Sequence, residues 1–228
     1  MTTRKTEILT VVIGVSVILG GVLYIMLLQP STSHGVSELF ELKRIEGIGD
    51  VVETLNSLYV TQILLDPETG ETIAVSSYNF TVTYENETVV EVFVEASSTA
   101  PNMTSSATAL LNKSDWSIID VKDCDERMTT RLIGGAYYPF IIADQLVSLM
   151  ENGNVSYSCR YVGYRNVGDV SLKAWNITIW ISGSEYSQPT IKAVIVDLKG
   201  YAAIVEMIMI NPAEAILHCK VEKIVPKT

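Results

Sequence analysis

The stretch YNFTVTYENETVVEVFVEA, residues 78–96, decides the fold class. Tyr78, Phe80, Val82 and Tyr84 fall on one side of an extended chain, and Asn79, Thr81 and Thr83 on the other. Successive side chains of a β-strand point to opposite faces, so this is a strand with one face on a core and one in water. Glu85-Asn86-Glu87 then turns the chain. Residues 88–96 alternate again, with Val90, Val92 and Val94 opposite Glu91 and Glu95. Two such runs joined by a short polar link predict an antiparallel hairpin.

The same grammar extends outward. Residues 58–65 and 71–77 flank Asp66-Pro67-Glu68-Thr69-Gly70, where proline presets φ and glycine accepts a positive φ. Further strands are predicted over 116–121, 155–166, 169–182, 190–198, 201–210 and 213–225, with breaks at Val167-Gly168, Gly183-Ser184, Lys199-Gly200 and Asn211-Pro212. Residues 97–114, rich in Ser, Thr and Asn, predict an exposed loop with one helical turn at 107–111. Residues 139–152 make the best soluble helix. Pro139 sits in its first turn, Ile142, Leu146, Leu149 and Met150 are apolar, and Gly153 stands at its C-terminal cap. Ser37 predicts a cap for a helix over 38–46, which Gly47-Ile48-Gly49 breaks. Asp50-Val51-Val52-Glu53 has the form of a capping box for a short helix to Ser57. Short links between long strands imply a long antiparallel meander with a few short helices, an α+β domain.

Upstream of that domain the chemistry changes. Residues 8–28, ILTVVIGVSVILGGVLYIMLL, carry no charge over 21 positions. At about 1.5 Å per residue such a helix spans roughly 30 Å, the thickness of a bilayer core. Arg4 and Lys5 precede it, and no Lys or Arg follows until Lys43. Basic residues stay on the cytoplasmic side, so the expected layout is a cytoplasmic N-terminus (1–7), a transmembrane helix (8–28), a linker (29–36) and an extracellular domain (37–228). A cleaved signal peptide has a shorter apolar core. The expected location is the cell membrane, with a single span.

The asparagines point the same way. Six of ten head an N-x-S/T triplet: Asn79, Asn86, Asn102, Asn112, Asn154 and Asn176. That exceeds what the Ser and Thr content produces by chance, and all six lie beyond the span. They are candidate N-glycan acceptors on an exported surface. Such a compartment permits disulfides. Of Cys124, Cys159 and Cys219, the last two each alternate with apolar neighbours, which favours a Cys159–Cys219 bridge if their strands are adjacent. Cys124 lies in an acidic DCDE run that disfavours the thiolate.

The composition excludes several classes. The 228 residues are 48% hydrophobic and 18% charged with a mean hydropathy of +0.28, which is no disordered chain. A net charge of −10 and a pI near 4.7 argue against a nucleic-acid partner. No G-x-S-x-G, H-E-x-x-H or P-loop occurs, and His34 and His218 stand alone. An enzyme is not indicated, and no cofactor is implied. Asp120, Asp123, Asp125 and Glu126 form the one dense acidic cluster, a candidate for Ca²⁺ that lacks the spacing and glycine of a calcium loop. A solvated turn is the simpler account.

Aromatic residues are the other candidates. Trp175 shares a face with Ile177 and Ile179 and reads as core, whereas Trp180 lies on the other face, where it would stack on a sugar or a protein. Tyr137-Tyr138-Pro139-Phe140 would line a pocket or staple the helix to the sheet. Tyr201 to Ile210, YAAIVEMIMI, is either a strand covered on both faces or one open to an apolar ligand or second subunit.

A short basic N-terminus, Glu7, one apolar helix and an external β domain resembles the plan of type IV pilins and archaellum stator proteins over roughly the first 30 residues. That likeness implies a filament or stator subunit. The pilin processing site has a small residue after the basic pair, where this chain has Thr6 and Glu7. The helix-plus-meander plan is similar to lipoprotein-carrier folds, in which a curved sheet cups a lipid. That likeness implies an apolar cavity beside residues 201–210. The expected role is therefore binding or structural: a glycosylated, membrane-anchored surface protein whose partners are the bilayer and a surface protein, envelope component or apolar ligand.

Overall fold

The computed structural model describes residues 37–100, 102–153, 155–180, 191–211 and 215–227. The predicted membrane span 8–28, its flanks 1–7 and 29–36, and the acceptor Asn154 lie outside the described residues. Two short helices lead in, α1 (Ser37–Phe40) and α2 (Ile48–Thr54). Five strands follow: β1 (Leu55–Leu65), β2 (Thr72–Glu85), β3 (Val89–Thr99), β4 (Asn102–Asn112) and β5 (Ile118–Lys122). Then come α3 (Glu126–Gly134), one 3₁₀ turn (Gly135–Tyr137) and α4 (Tyr138–Glu151). Five more strands complete the chain: β6 (Ser156–Val167), β7 (Val170–Trp180), β8 (Ile191–Leu198), β9 (Tyr201–Asn211) and β10 (Ala215–Pro226).

All ten strands form one sheet in the order β5-β4-β3-β2-β1-β10-β9-β8-β7-β6, antiparallel at every seam. The expected antiparallel meander is thus present twice, each copy following a helix. The last strand returns beside the first, so the β1–β10 seam joins the two halves. β6 curls over the helix-free face far enough for Arg165 to pair with Glu206 of β9.

One cross-strand rung shows where the core sits. Leu58, Phe80, Val94 and Ala107 face one another across β1 to β4. Each is at most 1% exposed. The face they share is covered by α3, which packs on β3 and β4, and by α4, which packs on β9. Buried apolar area of this kind contributes about 25 cal/mol per Å² and drives the helices onto the sheet. By length and composition the helical run Glu126–Glu151 could cross a membrane. Here it is the cover of the sheet, with Leu132, Phe140, Leu146 and Met150 buried.

Several expectations are corrected. Residues 97–114 are not a loop: β3 continues to Thr99 and β4 pairs with it residue for residue. Met103, Ser105, Ala107, Ala109 and Leu111 alternate toward the helices, and the two alanines are wholly buried where α3 passes close. Their small size hid the strand. The helix predicted over 38–46 stops at Phe40, because the chain turns to bridge Tyr201: the Lys43 N–H donates to the Gly200 carbonyl at 2.7 Å. The next helix begins at Ile48, before Asp50, and ends at Thr54. Asp50 works from inside its first turn, accepting the N–H groups of Glu46 (2.6 Å) and Gly47 (3.3 Å). Residues 201–210 form a strand that is buried on both sides over Ala202, Ala203, Ile204 and Val205, whereas farther on Met207 and Met209 are buried and Glu206, Ile208 and Ile210 are half-buried. The small hollow there, about 20 Å³ and lined in part by Ala202, is far below the size of a lipid.

Candidate functional site

The cavity lies over the other half of the sheet. It has a volume of about 610 Å³ and sits between β1–β4 and the α3–α4 hairpin. Two rungs next to the Leu58–Phe80–Val94–Ala107 rung make its floor. The first is Val60–Tyr78–Ala96–Ser105, and the second is Gln62–Ser76–Ser98–Met103. The packing grades from large apolar residues in the core to small and polar ones at the open end, so the helices cannot close down on the sheet there. Ser76 Oγ donates to Ser98 Oγ at 3.3 Å, satisfying part of this floor internally.

The roof is helical. Tyr138, Ile141, Ile142 and Gln145 lie on one face of α4, at the three-, four- and seven-residue spacing of neighbours on a helix. Met128 and Leu132 continue the roof on α3, which Asp125 caps by accepting the Met128 N–H at 2.8 Å. Tyr78 is the pillar between floor and roof. Its hydroxyl donates to the Leu132 carbonyl at 2.6 Å. Burial pushes its pKa well above the ordinary phenol range, so it stays a neutral donor. Gly135 makes room for it: a Cβ there would come within 2.4 Å of the Tyr78 ring.

The cavity is mostly apolar, and no carboxylate lines it. Its single charged lining residue, Arg131, is exposed at the rim beside Ile141, which is 44% exposed. Arg131 has no ion pair among the described residues. Two buried polar atoms of lining residues have no hydrogen bond, Tyr138 Oη and Gln145 Oε1. The Tyr138 hydroxyl lies beside the Cys219 thiol, a weak partner, and burial holds it well above the usual phenol range. Such a lining is chemically suited to a mainly apolar molecule.

The other candidate residues serve other ends. Asp120 accepts the Val121 N–H, Asp123 takes a positive φ of 71° in the turn, Asp125 caps α3, and Glu126 is its first residue. Among the described residues no three His, Cys, Asp or Glu side chains gather as a metal site. His218 lies 3.6 Å from Glu206, which also pairs with Arg165. The expected Cys159–Cys219 bridge is not formed, and all three cysteines are free. The two do share a face and a rung, through Ile177, Ala193 and Met207. Their strands are not neighbours, however: β7, β8 and β9 lie between β6 and β10 in the sheet order. Burial pushes the Cys219 thiol up to about 12 and that of Cys159 up to about 11, so both are inert. Trp175 is core, and Trp180 is half-buried.

The glycan candidates sort by register. Tyr78 and Gln62 mark the helix-covered face, and Asn79, Asn102, Asn112 and Asn176 fall on the opposite one. Asn86 occupies the β2–β3 turn, where its Oδ1 accepts the N–H groups of Thr88 and Val89.

No family model matches the chain, and no curated protein matches it. Among solved structures it is similar to a protein of Bacteroides fragilis NCTC 9343, provisionally described as exported and of YmcC-like fold. That match has 13% identity, covers 75% of this chain and 95% of the other, and has a TM-score of 0.26. A protein of Parabacteroides distasonis ATCC 8503, provisionally described as a lipoprotein, matches at 11% identity over 75% and 96% of the two chains, with a TM-score of 0.24. Likeness this distant says nothing of ligand or location.

Of the site residues, Tyr138 stands in the aromatic run that the sequence marks out as possible pocket lining. The serine floor is hidden in segments that read as a strand end and a loop. Its signal was the alternation of Met103, Ser105, Ala107 and Ala109, in register with β3.

Proposed function

We propose that the chain is a membrane-anchored surface protein whose external domain binds an amphiphilic, mainly apolar small molecule between β1–β4 and α3–α4. The observation that carries this reading is the cavity of about 610 Å³. It falls within the roughly 300–1,000 Å³ of small-molecule sites. Its apolar roof belongs to helices, and its floor is small-residued over two consecutive rungs. A solid domain would fill that space with Leu or Phe, as the adjoining rung does. The uncharged 21-residue run near the N-terminus supports an anchor. The common face of four glycan acceptors supports exposure of the sheet surface turned away from the ligand.

The test is ligand binding by the full chain in amphipol, followed with the fluorescent amphiphile N-phenyl-1-naphthylamine. Ala96 lies in the floor and is partly buried. We expect saturable binding that Ala96→Trp weakens at least tenfold while the variant keeps its unfolding transition. Binding unchanged by Ala96→Trp would remove the cavity from the account.

A further inference from the structure

We propose that the amphiphile held in this cavity carries an anionic head, a carboxylate or a phosphate, which stays at the mouth beside Arg131 while the apolar tail fills the interior. The inference rests on the cavity being a ligand site and adds the charge of the ligand and the end by which it enters. The lining is mostly apolar and holds no carboxylate. Its one charged side chain, Arg131, is exposed at the rim, where the head of a bound molecule can reach it. Arg44 meets Asp144 and Glu151, and Arg165 meets Glu206. Among the described residues Arg131 has no such partner. Nor has Arg127, which is exposed one turn earlier on the same side of α3. Like charges four residues apart on a helix repel, so a negative group between them relieves both. In a chain with 26 acidic and 16 basic residues, two neighbouring cations that no carboxylate answers leave room for an acid from outside.

The chemistry of the head follows from the guanidinium. Its rigid fork of donors matches the oxygens of a carboxylate or a phosphate. An ammonium head would be repelled there. An alcohol would accept a hydrogen bond without bringing the opposite charge. The tail points inward, because its apolar surface leaves water against Val60, Ala96, Leu132 and Ile142. An ion pair this open to water is worth at most about fivefold in affinity. The apolar interior therefore supplies most of the binding, and Arg131 selects among amphiphiles of equal tail.

The experiment uses the full chain in a non-ionic amphipol, so that the belt adds no charge, with bound N-phenyl-1-naphthylamine. Only the fluorescence lost in Ala96→Trp is counted as cavity binding. Four competitors of equal tail are compared at about pH 8, where both acids are ionised: dodecanoate, dodecyl phosphate, dodecan-1-ol and dodecyltrimethylammonium. At least one anion is expected to displace the probe at concentrations about threefold or more below the alcohol, and the ammonium to need more than the alcohol. The better of the two anions identifies the head as carboxylate or phosphate. In Arg131→Gln the advantage of the anions over the alcohol should shrink below about twofold, and Arg131→Lys should restore part of it. Equal displacement by anions and alcohol in the unaltered chain overturns this inference and leaves the cavity reading intact. So does an advantage of the anions that survives Arg131→Gln. Probe binding that Ala96→Trp leaves untouched overturns the cavity reading itself. Should Arg131→Gln fail to fold, the competitor series on the unaltered chain decides alone.

Discussion

At the scale of single residues, the cavity depends on one missing methyl group. Gly135 follows α3 directly, and its backbone is helical, with φ −62°. Its conformation would therefore suit any residue. What it cannot accept is bulk, because a Cβ would sit 2.4 Å from the Tyr78 ring, itself fixed by the hydrogen bond to Leu132. Gly135→Ala must move either the pillar or the roof. Overpacking of this kind costs about 1–3 kcal/mol. We expect the midpoint of urea unfolding to fall accordingly. Gly134→Ala is the control, because a Cβ there meets nothing within 4 Å. Equal effects from the two changes would show that the pillar is not rigid.

At the scale of elements, the roof stands on a capped helix. Asp125 accepts the Met128 N–H, and Thr129 Oγ1 returns a hydrogen bond to the Asp125 carbonyl at 2.9 Å. Asp125→Ala should cost about 1 kcal/mol. It should also raise hydrogen exchange in 126–134 above that of α4, since α3 is only nine residues long. Uniform exchange across both helices would count against α3 as a separable lid. Elements also show which parts of the fold can be read locally. Strands such as β2 and β3 alternate large apolar with polar residues, and α4 carries a proline start and an apolar face, so both declare themselves. β4 does not, because the middle three of its five inward residues are Ser105, Ala107 and Ala109, set by the proximity of α3 rather than by strand preference. The cavity is harder still. It is a volume left between rungs 60–105 and helices 128–145, and no local pattern records a space between distant segments. The single legible clue was the aromatic run before α4, through Tyr138. The disulfide expectation failed for the same reason: alternation gave the correct face for Cys159 and Cys219, but strand order is a long-range property.

At the scale of the whole molecule, the β1–β10 seam joins two meanders that the chain makes far apart in sequence, and its end is fastened by charge. Glu85, at the end of β2, receives Lys113 at 2.8 Å and also pairs with Lys227, just past β10. Lys227 in turn donates its N–H to the Thr54 carbonyl at 2.9 Å and its ammonium to the Val52 carbonyl at 3.1 Å, where α2 runs into β1. One carboxylate thus gathers the ends of β2, β4 and β10. Hydrogen bonds from the Lys113 and Lys227 ammonium groups hold the Glu85 carboxyl below its ordinary value of 4.5. A carboxyl whose folded pKa is depressed releases its proton more readily in the native state, so it stabilises the fold above its unfolded pKa. That contribution is lost as the pH falls through the unfolded value toward the folded one. Partial exposure and screening limit such pairs to at most about 1 kcal/mol, or about 2–4 °C in Tm for a chain of this size. Glu85→Gln should therefore lower Tm at pH 7 by that amount, and the difference from the unaltered chain should shrink as the pH falls below 4.5 and Glu85 takes up its proton. Lys227→Met should reproduce the loss at pH 7, because it removes the other half of the clasp. A Glu85→Gln deficit that persists undiminished at pH 3 would mean that the seam is held by packing alone, and that the two halves need no charge to stay in register.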